Sequence, residues 1–351
     1  LYHYAGKNGP VAEAWGQSPG LKFPTLSSFA TYGSLGVQLF FLISGFVICM
    51  SCWGRTPAQF AVSRISRLFP AYWCAVLLVV LLALASRLGH RPATTRIDPR
   101  TILGNLTMAP GPLGLDPVDG VSWTLWVEAR FYLLMAALLV FGLSYRRVVA
   151  FCGAWLLAGV IALELHSPLL DDFVLPRYTG LFVAGIVLYL MHRFEQSLLL
   201  WLLLGFAWCY QLTVLELRVA DHAAVPPGEG RPSWAVCAVV LTLCLGLLAL
   251  AGIGPLAGLR WRWPVTAGAL TYPFYLVHQS LGIPLAKGLI RAFPRLGPLP
   301  SMTLSVICML GLSLLVHTLV ERRLGGRLRH RLTLDMRPRD LAAQPALTRT
   351  R

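Results

Sequence analysis

Charge is what this chain has least of. Only 13% of its 351 residues are Asp, Glu, Lys or Arg, and basic residues outnumber acidic ones 30 to 15. Apolar residues make up 56% and the mean hydropathy is +0.65, which excludes an ordinary water-soluble domain of this size. Long polar stretches are equally scarce. The longest are Ala5–Thr31, Arg87–Asp119, Glu216–Pro232 and the tail from Glu321. No internal repeat is visible, which counts against a transporter assembled from duplicated halves. No series of basic, apolar and small residues opens the chain, so a signal peptide is not expected. The cysteines show neither a repeated CxxC nor a Cys/His spacing. Cys49 and Cys52 form a lone CxxC that reads as small apolar packing, so neither a metal site nor a disulfide framework is expected. The positive excess comes without a nucleic-acid reader motif. Attraction to anionic lipid headgroups accounts for it more simply.

What is present is a succession of long apolar runs. A bilayer core about 30 Å thick takes roughly 20 such residues per helix. Nine runs qualify: Tyr32–Cys52, Ala71–Ser86, Val121–Phe141, Val148–Leu165, Phe173–Met191, Ser197–Leu215, Trp234–Ala251, Pro264–Ile290 and Met302–Val320. They predict an all-α, polytopic membrane helix bundle. The opening LYHYAG resembles the end of one more span, so about ten transmembrane helices are expected, the first of them truncated in this chain. Residues 1–324 then form a transmembrane domain, and 325–351 a basic cytoplasmic tail expected to be disordered, most clearly over Met336–Arg351. A short interfacial helix is expected near Ile102–Met108 in the polar loop. With Tyr32–Cys52 running inward, Arg55, Arg64, Arg67, Arg146, Arg147, Arg193, Arg260, Arg262 and the tail all face the cytoplasm, as the positive-inside tendency favours.

Ionisable groups inside a bilayer are costly, so each is a functional candidate. His3, in LYHY, offers an imidazole suited to general-base work; the plainer reading is an interfacial histidine facing water. Arg64 and Arg67, in SRISRLFP, share a helix face at i and i+3. Paired guanidinium forks suit phosphate, and simple cytoplasmic anchoring is the alternative. Pro70 fits the first turn of the span that follows. Glu128, in VSWTLWVEARFY, must be paired or protonated so far into an apolar helix. Arg130, two positions on, points elsewhere, so a partner on another helix is expected, His3 among the candidates. Trp123, Trp126 and Tyr132 line the same segment as cavity wall or aromatic belt. In TYPFYLVHQS, Tyr275 and His278 share a face, with Tyr272 nearby. They suit either a polar cavity or interhelical hydrogen bonding.

GVQLFFLISGFVI within Gly36–Ser51, SRISRLFPAYW, VSWTLWVEARFY and TYPFYLVHQS, in that order, resemble the acyltransferase-3 family of integral membrane proteins. That family includes O-acetyltransferases of bacterial lipopolysaccharide, exopolysaccharide and nodulation factors, and acylases of macrolide sugars. The resemblance covers roughly Leu1–Leu324. It implies an essential His at His3, with a basic residue about ten positions before it, upstream of Leu1. It also implies an RxxR-type site at Arg64 and Arg67, an acidic position at Glu128 with Thr124 where Ser is common nearby, and a Y-L-x-H position at His278. The implied chemistry moves an acyl group, acetyl by default, from cytoplasmic acyl-CoA to a hydroxyl of a glycan or lipid-linked sugar in the bacterial inner membrane. Acetyl-CoA is then a donor substrate, with no bound cofactor, no metal and no nucleic acid, and membrane lipids surround the protein. Arg64 and Arg67 would hold the donor phosphates, His3 would deprotonate the hydroxyl, and Glu128 would orient His3. A covalent acyl-histidine route is chemically open as well. Two rival classes remain: a transporter of a glycan precursor, which would need a continuous polar path with charges spread over several spans, and a structural partner in glycan assembly, for which none of these residues matters.

Overall fold

The computed structural model describes residues 2–6, 15–88, 98–221, 232–258 and 263–334. All regular structure among the described residues is helical. The α-helices are α1 (Tyr2–Ala5), α2 (Pro19–Lys22), α3 (Pro24–Thr31), α4 (Gly36–Cys52), α5 (Pro57–Leu88), α6 (Pro99–Leu106), α7 (Trp123–Val140), α8 (Tyr145–Leu165), α9 (Pro168–Val174), α10 (Thr179–Arg193), α11 (Leu198–Asp221), α12 (Trp234–Gly252), α13 (Trp263–Val277), α14 (Gly282–Ala292), α15 (Pro298–Leu315) and α16 (Arg322–Leu334). Six of them open on proline, whose fixed φ and missing N–H suit the first turn. Eight segments among the described residues are long and apolar enough to cross a membrane. This is a multi-pass membrane bundle.

The sequence-predicted spans survive with three differences. Pro264–Ile290 is two helices, α13 and α14, that meet at residues 278–281. Irregular backbone at membrane depth persists only where protein or a cavity satisfies its polar groups, and side chains do so here, as described below. Pro70 does not open a helix: α5 runs straight through it from Pro57, so Arg64 and Arg67 belong to the spanning helix itself. A mid-helix proline cannot bond the carbonyl four residues back, here that of Ser66. Gly325 of α16 packs against that oxygen, so closely that an added Cβ would lie 2.7 Å from it. The third difference is at residue 324, where the chain continues helically to Leu334 through a π-helical turn over Val316–Glu321. Met336–Arg351, expected to be disordered, lies outside the described residues.

The bundle is organised around α10, whose residues Thr179–Met191 are all buried. It crosses α4 at two glycines. A Cβ on Gly45 would lie 2.2 Å from the carbonyl oxygen of Phe182, and one on Gly185 would lie 2.1 Å from that of Leu42. Small residues at the crossing let the backbones touch, the usual basis of helix association where lipid removes the hydrophobic drive. Phe131, Trp155 and Phe182 stack beside it, with buried Cys49 and Cys52 in the same core.

One end of the bundle collects arginine. Arg193 lies over Trp53, Trp53 and Tyr145 both meet Phe194, and Arg55 shares Ser63 with Arg64. At the opposite end, the loop after α6 is hooked down by one side chain. Asn105 donates to the carbonyls of Thr101 and Asp116 and accepts from the Val118 N–H, while the Tyr72 hydroxyl donates to the Asn105 carbonyl. The expected interfacial helix is α6, capped by Asp98, which accepts from the Thr101 N–H at 2.6 Å.

Candidate active site

The polar groups inside the bundle fall into two clusters joined by one helix face. Thr124, Glu128 and Tyr132 recur every four residues on α7, so they stack along one side about 6 Å apart per step. Glu128 is buried. Its Oε1 accepts from the Ser44 hydroxyl at 3.0 Å, and the Tyr132 hydroxyl also bonds the carboxylate. Arg64 and Arg67 supply the positive charge that faces it. Arg64 lies with its guanidinium 5.9 Å from the Tyr132 ring centroid and 5.8 Å from that of Phe60, and its Nε is buried with no hydrogen-bond partner among the described residues.

Below that carboxylate the cluster turns wholly positive. Arg55 and Arg64 both donate to the Ser63 oxygen, at 3.2 and 3.1 Å. Arg55 lies in the connection between α4 and α5, outside the spans. Burial, together with the guanidinia of Arg64 and Arg329, pulls it below the ordinary arginine value. No carboxylate among the described residues forms a salt bridge with Arg55, Arg64, Arg67 or Arg329; the ion pairs found join Arg130 to Asp172 and His317 to Glu321. Guanidinia gathered with no salt-bridged carboxylate among the described residues are a ready site for a phosphate-bearing ligand.

The second cluster sits at the top of the same ladder. The Thr124 hydroxyl is 2.7 Å from that of Tyr275, which also donates to the Val121 carbonyl, and the Tyr275 ring stacks on Phe40. Next to it is His278, whose ring centroid lies 5.2 Å from that of His3. The structure thus joins His3 to His278 and Glu128 to Ser44, Tyr132 and the arginines. The expectation that Glu128 orients His3 finds no contact among the described residues to support it: the rings beside His3 are those of Tyr2 and His278. Trp123 faces Tyr178 instead, with ring centroids 6.1 Å apart.

The family model for the acyltransferase domain matches residues 2–318. The chain belongs to the acyltransferase-3 family. Among curated proteins it is 32% identical to the exopolysaccharide production protein ExoZ of Rhizobium meliloti over 164 residues, 45% of this chain and 50% of that one. It is 29% identical to nodulation protein 10 of Rhizobium leguminosarum bv. viciae over 281 residues, 72% of this chain and 74% of that one. The match thus spans half the length of the first relative. No solved structure matches the chain.

Three groups in and around these clusters had no sequence signal of their own. Ser44 sits inside the apolar run GVQLFFLISGFVI. His317 had no supporting context, yet its Nδ1 lies 2.8 Å from Glu321 Oε2 across the π-helical turn. The third is Asp119, a loop aspartate among glycines and prolines that proves to be 2% exposed. Its Oδ1 accepts from the Ser280 hydroxyl and from the Val121 N–H, and its Oδ2 has no partner. Ser280 is two residues past His278, so Asp119 straps the loop before α7 to the break that carries His278.

Asp119 lies outside the spans, and burial raises its carboxyl from the ordinary value to about 6, against the opposing hydrogen bonds from Ser280 and Val121. The folded state therefore holds this proton more tightly than the unfolded chain. Stability from this group is full below the ordinary aspartate value of about 3.9 and falls until pH passes about 6, by about 3 kcal/mol in all. Asp119→Asn removes the titration. Melting curves are expected to show the variant gaining on the wild type at pH 7.5 but not at pH 4.5; parallel curves at both would place this carboxyl in water.

Proposed function

We propose that this protein transfers an acyl group, acetyl by default, from cytoplasmic acyl-CoA to a hydroxyl of a glycan or lipid-linked sugar in the bacterial inner membrane. The observation that carries the reading is the polar ladder from an arginine cluster with no salt-bridged carboxylate among the described residues to a histidine pair. The relatives support a glycan acceptor, since one serves exopolysaccharide production and the other nodulation. The arginine-rich end faces the cytoplasm in this reading, in line with the positive-inside tendency.

Arg64 and Arg67, with Arg55 and Arg329 beside them, hold the donor phosphates by charge-assisted hydrogen bonds. The pantetheine arm follows Tyr132, Glu128 and Thr124 inward, and its amides find hydroxyl and carboxylate partners there. The thioester then reaches His3. The imidazole takes the proton of the attacking hydroxyl, the new C–O bond forms, the C–S bond breaks, and the thiolate leaves with the proton that His3 returns. Glu128 keeps the arginines oriented and balances their charge in the low-dielectric interior.

The test is transfer of radiolabelled acetyl from acetyl-CoA to lipid-linked glycans extracted from host membranes. Arg64→Ala and Arg67→Ala are each expected to raise the KM for acetyl-CoA about tenfold to hundredfold, the loss of a hydrogen bond to a charged group, with kcat less affected. Wild-type protein that transfers no label, while labelled glycan precursor still crosses the membrane, would move the reading to a transporter.

A further inference from the structure

The break between α13 and α14 is held from three directions, one of them at the backbone of His278. The Tyr4 hydroxyl donates to the His278 carbonyl at 2.6 Å. The Ser305 hydroxyl donates to the Gly282 carbonyl at 2.7 Å, and Ser280 donates to Asp119. Gly282 is required for this arrangement, because an added Cβ would lie 1.9 Å from the Tyr4 hydroxyl oxygen. Tyr4 follows His3 directly, so the same contact fixes the His3 helix against the His278 turn.

The His278 ring is fixed as well. Its Nδ1 is 2.7 Å from the carbonyl oxygen of Tyr275. A carbonyl only accepts, so Nδ1 carries the hydrogen and Nε2 carries the lone pair. Nε2 has no hydrogen-bond partner among the described residues. Neither ring nitrogen of His3 has one there either, so nothing else in the described structure sets its tautomer. The two rings are 5.2 Å apart between centroids and tilted by 55°. Two ring radii plus a hydrogen bond of about 2.9 Å span this separation, so a modest rotation brings an N–H of His3 onto the lone pair of His278. Catalytic hydrogen bonds are commonly loose without substrate and tighten when it binds.

We propose that His278 is the positioning residue of His3: its Nε2 accepts the His3 N–H, sets the tautomer that leaves the other His3 nitrogen basic, and shares the proton that His3 collects. A carboxylate fills this place in the familiar triad; here the geometry gives it to an imidazole. The proposal rests on the acyl-transfer reading above. In the reaction the acceptor hydroxyl proton moves to the free nitrogen of His3 as the C–O bond forms, and the N–H on the far side of His3 shifts toward Nε2 of His278. When the C–S bond breaks, the thiolate takes a proton from His3 and both rings return to their starting state.

The experiment compares His278→Ala, His278→Gln and His278→Asn with wild type, using labelled acetyl-CoA and lipid-linked glycans extracted from host membranes. Alanine is expected to lower kcat about 100-fold with the KM for acetyl-CoA unchanged. Glutamine places an acceptor oxygen near the position of Nε2 and is expected to recover about tenfold of that loss. Asparagine places its group near Nδ1 and recovers none. A structural role predicts instead that all three fall together with their melting temperatures, which would overturn the proposal, as would unchanged kcat in an active preparation. Nitrogen-15 histidine NMR of the wild type and of His3→Ala judges the pair without turnover. The expected His278 Nε2 signal is unprotonated and moves when His3 is removed, and a protonated or indifferent signal overturns the pairing. Wild-type protein with no transferase activity would refute the acyl-transfer reading instead, and the NMR result would still stand for or against the pair.

Discussion

Replacing His3 by alanine is expected to lower kcat for acetyl transfer about 10²–10⁴-fold, the usual range for a lost general base. The KM for acetyl-CoA should stay within about twofold, because in the proposed reaction the donor phosphates bind at the arginine end and His3 acts only on the transition state. The separation of the two clusters is what makes the prediction sharp. Arg64 and Arg67 face Glu128, whereas the ring neighbours of His3 are Tyr2 and His278. An interfacial histidine that merely faces water predicts wild-type kinetics for His3→Ala. A histidine that binds donor predicts a rise in KM with kcat intact. Tyr2→Phe is the matched control, since the Tyr2 ring meets His3 edge-on at 5.1 Å and its hydroxyl has no assigned role. Steady-state kinetics on these two variants separate the three cases.

The apolar runs made the helices legible, because a span of about 20 apolar residues has few other places to go. Intramembrane polarity made Glu128 and His278 legible for the same reason, as polar groups there demand a cause. Partnership was a different matter. Glu128 could be read as paired, but nothing in the sequence says that Ser44 sits opposite it, since that depends on the register of α4 against α7. Asp119 was invisible because a loop aspartate is normally solvated. Its burial follows from Asn105, which pulls the loop down, and from Ser280, which lies far along the chain. The break at 278–281 was also hidden, because apolar residues flank it on both sides and only His278, Gln279 and Ser280 interrupt them. Pro70 misled in the opposite direction. Proline reads as a helix start, yet the helix continues where a neighbouring backbone, here that of Gly325, packs against the freed carbonyl.

The contact between α4 and α10 carries the largest expected effect on stability. Gly185→Ala is expected to destabilise the bundle by about 3 kcal/mol, at the upper end of overpacking costs. The added Cβ would lie 2.1 Å from the Leu42 carbonyl oxygen, 2.7 Å from the Phe46 nitrogen and 2.9 Å from the Gly45 Cα. All three are backbone atoms, so no rotamer change relieves the clash and the helices must part. Parting them also draws Ser44, next to Gly45, away from Glu128, whose Oε1 it holds at 3.0 Å. The variant should therefore lose transferase activity in step with stability, and Gly45→Ala should behave alike. Gly153→Ala and Gly246→Ala are the opposite case, because nothing lies within 4 Å of a Cβ at either position. In a helix interior alanine is favoured over glycine by up to about 1 kcal/mol, so these two should melt at or above the wild type. Thermal melting in detergent, followed by tryptophan fluorescence, reads both signs in one experiment. If Gly185→Ala melts with the wild type, the close crossing is not what holds Ser44 against Glu128.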